Sequence, residues 1–212
     1  MSGLEIIGGI SAVITLLDAS IKIYDSARSD GKLSETFEVV RRRLPVILHI
    51  LQRCKNVIEQ VEDSMPSDVC EALEKILDGC EEMARKLREI FESVIPGEKD
   101  TWRKRYAKVI QRLGKGNKVE ELMATLTQDV QLLVNNNAVN SATPEQNVKL
   151  EHILKEMKSV KSSTPEEECT TLAFHSDGGA QTNNVNSGSG QQINNNAHVG
   201  TQHFYSGKEQ PS

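Results

Sequence analysis

Through the first 160 positions apolar residues recur three and four apart, the spacing that gathers them on one face of an α-helix. The first stretch, Gly3 to Asp25, carries Ile6, Ile7, Ile10, Val13, Ile14, Leu17, Ile21 and Tyr24, with Glu5, Asp18 and Lys22 its only charges before Asp25. Ser29-Asp30-Gly31 ends it, and Gly31 suits the left-handed conformation of a chain reversal. The second, Leu33 to Val61, has Phe37, Val40, Leu44, Ile47, Leu51, Cys54 and Ile58 in its stripe. Pro45 lies inside it, removes one backbone donor, and is expected to kink or restart the helix. A third runs from Asp68 to Val94 and stops at Pro96-Gly97. A fourth, Thr101 to Leu113, turns Trp102, Tyr106, Val109, Ile110 and Leu113 inward, and a fifth covers Lys118 to Val134. Thr143-Pro144-Glu145-Gln146 has the form of a capping box with proline in the first turn, so a sixth helix follows, Pro144 to Val160. Its stripe of Val148, Leu150, Ile153, Leu154 and Met157 leaves open whether it packs on the others or frays. No stretch of these 160 positions alternates apolar and polar in the manner of a strand. The expected fold is all-α, a bundle of five to six helices in which short loops make neighbours antiparallel.

The pattern fails after Lys161, and from Ser176 the composition changes. Asn, Gln, Gly and Ser dominate, and Asp177, Lys208 and Glu209 are the only charges. Alone, such a segment buries too little apolar area to offset its ordering entropy and is expected to be disordered. It does carry a repeat. Gly-x-Gln occurs at Gly179-Ala180-Gln181, Gly190-Gln191-Gln192 and Gly200-Thr201-Gln202, followed by Thr182-Asn183, Ile193-Asn194 and His203-Phe204. Low charge allows many copies to stack in register, and Asn/Gln ladders gain hydrogen bonds in every layer. The competing reading is a flexible polar tail. The chain therefore divides into a helical bundle at 1–140, an additional helix at 141–160, a linker at 161–175 and an Asn/Gln/Gly-rich tail at 176–212.

Composition narrows the function. A net charge of −5 and 4 % aromatic residues argue against a nucleic-acid partner. Cys54, Cys70, Cys80 and Cys169 form no CxxC pair and no Cys/His cluster, and residues 1–9 lack the basic start of a secretory signal. Free thiols in a reducing, cytoplasmic setting are expected. Gly114-Lys115-Gly116-Asn117-Lys118 lacks the spacing of a phosphate loop and follows no strand. The histidines, among them His49, read as partly buried on its helix, have no ligand spacing. No catalytic residue, metal site or cofactor is expected, and the chain does not read as an enzyme. Charge is uneven, however. Arg103, Lys104, Arg105, Lys108, Arg112, Lys115 and Lys118 crowd one stretch, while the third helix is rich in Asp and Glu. Either the two complement each other within the molecule, or the basic residues face anionic lipid headgroups.

The run Gly3-Leu4-Glu5-Ile6-Ile7-Gly8-Gly9-Ile10-Ser11-Ala12-Val13-Ile14, then Ile21-Lys22-Ile23-Tyr24, Leu44-Pro45-Val46-Ile47-Leu48 and Gly114 to Lys118, resembles the fungal SesA-like N-terminal domain of NACHT-type NTPases and related STAND receptors. The likeness covers roughly residues 1–140, and is shared with the HeLo-like group of fungal cell-death domains. It implies a helical bundle acting in programmed cell death on non-self recognition, with an N-terminal helix that attacks membranes. On this chain that helix comprises Leu4, Ile6, Ile7, Gly8, Ile10, Ala12, Val13, Ile14 and Leu17. Its uncharged part, Ile6 to Leu17, is shorter than the roughly 20 residues a bilayer requires, so it is expected as a core helix that can be released. Gly8 and Ala12 give it a small-xxx-small spacing for close contact in lipid. The tail resembles a fungal amyloid signalling motif of the pseudo-palindromic, RHIM-like class, carried by Gly179, Gln181, Asn183, Gly190, Gln192, Ile193, Asn194, Gly200, Gln202 and Phe204. The partners so implied are further copies of the tail, a NACHT/STAND receptor with a matching motif, and membrane lipids on activation. The chain stops soon after the motif, which suggests a separate effector that moves from the cytoplasm to the plasma membrane. The alternatives are a helical adaptor without membrane action and an inert fragment of a receptor.

Overall fold

The computed structural model describes residues 2–26, 33–95, 101–114 and 116–164. Their elements are six α-helices: α1 (Gly3–Ser26), α2 (Glu35–Ile58), α3 (Ser67–Val94), α4 (Trp102–Leu113), α5 (Val119–Val134) and α6 (Pro144–Ser159). A single 3-10 turn, Glu62–Ser64, precedes α3. No strand occurs among the described residues, so the fold is an all-α bundle. The turns at Ser29-Asp30-Gly31 and Pro96-Gly97, Lys115, Cys169 and the tail residues from Gly179 to Phe204 lie outside the described residues.

The longest helix, α3, is the hub: α1 packs along it, α5 and α4 lie against it, and α2 bridges α1 and α5. Each helix turns its periodic apolar face inward, as shown by the full burial of Ile6, Ile10, Val13, Leu17, Leu44, Ile47, Leu73, Leu87, Leu126 and Val130. At one end Phe37 sits among aromatic rings. Its centroid is 5.1 Å from Tyr106, 5.9 Å from Phe91 and 6.1 Å from Trp102, and Phe91 in turn lies 6.0 Å from Tyr24. Edge-on and tilted arrangements like these set the positive ring edge against the negative face.

Two expectations about local structure need correction. Pro45 does not restart α2, which runs unbroken through it. The residue is exposed, so the carbonyl its ring leaves unbonded is on the hydrated side of the helix. His49 is exposed rather than partly buried.

The sixth helix packs on α5 and α2. Its capping box forms as read: Thr143 Oγ1 accepts from Gln146 N at 3.2 Å, and Gln146 Oε1 accepts from Thr143 N at 3.0 Å. Leu150, Ile153 and Met157 are buried, whereas Val148 is 65 % exposed, nearly opposite Leu150 on the helical wheel. A bidentate pair, Arg43 to Glu156 at 2.5 and 3.0 Å, fixes α6 to α2. Cys54, Cys70 and Cys80 are free and buried, and burial pushes the Cys54 thiol up to about 11, away from the reactive thiolate.

Candidate functional site

On α1, one side belongs to the core: Ile6, Ile10, Val13 and Leu17 have no exposed area. Close approach there depends on small residues. A Cβ on Gly3 would fall 2.7 Å from the backbone of Glu62, and one on Gly9 would meet Leu77 Cδ1 at 3.2 Å. The other side is open. Leu4 is 69 % exposed, Gly8 is exposed with no atom within 4 Å of a Cβ, and Ile7, Ala12 and Ile14 are half-buried. The small-residue spacing of Gly8 and Ala12 thus lies away from the tightest core contacts.

The polar groups of α1 are largely satisfied within the helix. Ser11 Oγ donates to the Ile7 carbonyl and Thr15 Oγ1 to that of Ser11, both at 2.8 Å, and Ser20 Oγ donates to Leu16 at 2.9 Å. Asp18 and Lys22 pair at 2.6 Å one turn apart. Glu5 accepts from Ser2 N at 2.7 Å, which holds its carboxyl below the usual range. At the far end Arg41 of α2 grips Asp25 with two bonds, at 2.6 and 2.9 Å. Counted over its 24 residues, α1 is long and apolar enough to cross a membrane, with a mean hydropathy of 1.8 over its best window. That measure is one of length and composition alone, and the uncharged part of the run is Ile6 to Leu17.

The basic residues differ in what they touch. Arg105 turns away from the surface and donates to the Val94 carbonyl at 2.6 and 3.0 Å, closing the end of α3. Arg112 pairs with Glu89 of α3, and Lys118, at the start of α5, lies 3.7 Å from Glu121. Arg103 stands 5.6 Å over the Trp102 ring. Lys104, Lys108 and Arg112 follow one another at steps of four along an exposed stripe of α4, joined on its flank by Arg103. Lys115 is outside the described residues. The acidic residues of α3 find partners mostly on their own helix: Glu81 with Arg85, Glu82 with Lys86 and Glu92 with Arg88. Lys86 accordingly holds the Glu82 carboxyl below its ordinary value.

A buried polar cluster escaped the periodicity. Glu120, in the first turn of α5, is 7 % exposed. Its Oε1 accepts from Ser163 N at 3.0 Å and Ser162 Oγ at 3.3 Å, and its Oε2 from Ser163 Oγ at 2.5 Å. The Tyr106 hydroxyl shares a 2.6 Å bond with Ser163 Oγ and accepts from Val119 N at 3.1 Å. Burial pushes Tyr106 up to about 12. Thr36 Oγ1 donates to the Lys161 carbonyl at 2.6 Å. Residues 161–164, at the start of the segment read as a linker, are therefore held to α2, α4 and α5. A Glu separated by one position from the apolar stripe of α5 gave no sign of burial, and its partners lie over forty residues away. The repeated hydroxyls Ser162-Ser163-Thr164 were the only cue.

Among the described residues no three of His, Cys, Asp and Glu converge as metal ligands. A hollow of about 710 Å³ between α3 and the end of α5 is lined by Ile76, Asp129, Leu132 and Asn135, among others. Burial raises the Asp129 carboxyl there.

The SesA family, described as an N-terminal domain on NACHT NTPases and P-loop NTPases, matches residues 10–133. No curated protein and no solved structure matches. The matched span takes in most of α1 and ends one residue before the last of α5.

Proposed function

The chain belongs to the SesA family of N-terminal domains found on NACHT and other P-loop NTPases, and from this we propose that it is a non-enzymatic effector of programmed cell death in non-self recognition. A NACHT NTPase carrying a matching motif templates the tail, through Gly179, Gln181, Asn183, Gly190, Gln192, Ile193, Asn194, Gly200, Gln202 and Phe204. Stacked tails concentrate the helical bundles along the fibre, and the raised effective concentration drives rearrangement. Then α1 leaves the bundle for lipid, and the protein passes from the cytoplasm to the plasma membrane.

The observation that carries this reading is the make-up of α1: apolar over a spanning length, with its hydroxyls bonded to its own carbonyls and Asp18 paired with Lys22 in its second half. In hydrocarbon an unsatisfied polar group costs several kcal/mol; Ser11, Thr15 and Ser20 meet that cost on their own helix, and the pairing of Asp18 with Lys22 lowers theirs. Arg103 and Lys104, on the exposed side of α4, suit anionic headgroups, at about 1 kcal/mol for each cation near the surface. Arg105, Arg112 and Lys118 contribute less, being engaged with Val94, Glu89 and Glu121.

A second reading, a helical adaptor tethered to a NACHT/STAND receptor, is favoured by the complete burial of Ile6, Ile10, Val13 and Leu17, which makes α1 a structural pillar. Dye release from vesicles containing anionic lipid separates the two. Chains seeded with fibres of residues 176–212 should release dye, and Gly8→Glu, on the open side of α1, should abolish release while leaving fibres and fold intact. Fibres without release would favour the adaptor.

A further inference from the structure

The strap of residues 161–164 is built around a buried anion. Glu120 receives three hydrogen bonds from Ser162 and Ser163, and Ser163 is 2 % exposed. Thr164, the last described residue, is half-buried. Its Oγ1 shares a 2.9 Å hydrogen bond with Ser162 Oγ in an exposed setting, so it lies two hydrogen bonds from the Glu120 carboxylate. In the sequence Pro165 follows directly, then Glu166, Glu167 and Glu168. A proline at that position disfavours helix for the residue before it and biases it toward an extended form. Thr164 is non-helical and lies in a bend of the strap, and a kinase cleft selecting proline at the next position takes such a segment in extended form once the strap opens locally.

We propose that Thr164 is the acceptor site of a proline-directed serine/threonine kinase, and that phosphorylation there unlatches the strap from the bundle. In the transfer, Thr164 Oγ1 bonds to the γ-phosphorus of a nucleoside triphosphate. The bond from that phosphorus to the bridging oxygen breaks, the nucleoside diphosphate departs with the electron pair, and the hydroxyl proton passes to the kinase's base. Local opening of a strap held by polar bonds suffices to present the site. The new group carries roughly −1.5 to −2 charge at neutral pH and strong acceptor oxygens. It competes with Glu120 for the Ser162 hydroxyl and repels the carboxylate across one intervening side chain. The bonds from Ser163 to Glu120 and Tyr106 then give way together. Tyr106 keeps its bond from Val119 N, so α4 and α5 stay joined while residues 162–164 come away from Glu120 and Tyr106. This inference does not rest on the membrane or fibre reading, since its readout is local.

The test incubates the full chain with a proline-directed kinase and ATP, maps phosphate by mass spectrometry and follows amide exchange. The expected result is phosphate on Thr164 and Ser163 amide exchange faster by on the order of 10–100-fold, as for loss of hydrogen bonds to a charged group, with helix content unchanged. Thr164→Val should take no phosphate in the strap and keep its slow amide. Absence of phosphate on Thr164 both in the wild type and in Ser163→Ala, whose strap is loosened beforehand, would overturn the proposal. So would phosphorylated Thr164 with exchange at Ser163 unaltered.

Discussion

Gly8 and Ile10 stand two residues apart on α1, the first exposed with open space around it, the second without exposed area. An acidic side chain at position 8 meets water and replaces a poor helix former, so Gly8→Glu should keep or raise stability by about 0.5 kcal/mol. At position 10 it would bury an unpaired carboxylate, and Ile10→Asp should cost more than about 4 kcal/mol. Urea midpoints of the two variants check this, and show why only the first is a clean probe of membrane action. Tyr106→Phe leaves the Val119 N–H and Ser163 Oγ without their shared partner, at an expected cost of about 1–3 kcal/mol. A midpoint within error of the wild type would mean that water replaces the hydroxyl. These positions also mark what could be read in advance. Ile6, Ile10, Val13 and Leu17 were legible because a helix repeats its buried face every three or four residues, and the Thr143 cap because its bonds are local. Glu120 and Ser163 were not, since their burial rests on contacts between distant parts of the chain that no local period records.

For the helices, the contacts of α6 and α1 set different expectations. The Arg43 guanidinium bonds Glu156 and holds its carboxyl below the usual carboxylate range. A lowered pKa means that the folded state binds the proton less readily than the unfolded one. The resulting stability is therefore present above about pH 4.3, the unfolded value, and is lost as pH falls through the folded value. Amide protection in α6 should drop on acidification in the wild type, by an amount within about 1 kcal/mol for a partly exposed pair. In Glu156→Gln it should already be lower at neutral pH and change less with acid; equal acid responses would remove the pair from the account. Asp18 and Lys22, one turn apart on the helix that the sequence predicts over Gly3 to Asp25, pair at 2.6 Å, so a charge pair and not two lone charges interrupts the apolar run of α1. Of the two readings of the basic cluster, complementarity with the acidic third helix is met at Arg112, which pairs with Glu89. The members of the cluster share a stretch of sequence, but α3 draws Arg105 and Arg112 to itself.

Across the whole molecule, residues 1–168 form one compact unit, and the role proposed for the tail is separate from folding. Removing 176–212 should leave the helical signal and thermal midpoint of the bundle unchanged and abolish fibre formation; fibres from the truncated chain would refute the assignment. For the proposed action on lipid, α1 must leave α3. A Cβ on Gly9 would lie 3.7 Å from that of Leu77, within the usual separation of a disulfide. The decisive measurement is dye release from anionic vesicles by the seeded Gly9→Cys, Leu77→Cys double variant, oxidised and then reduced. Fibres are expected in both states but release only after reduction, whereas equal release with α1 still tied to α3 would mean that lipid is attacked without α1 leaving the bundle.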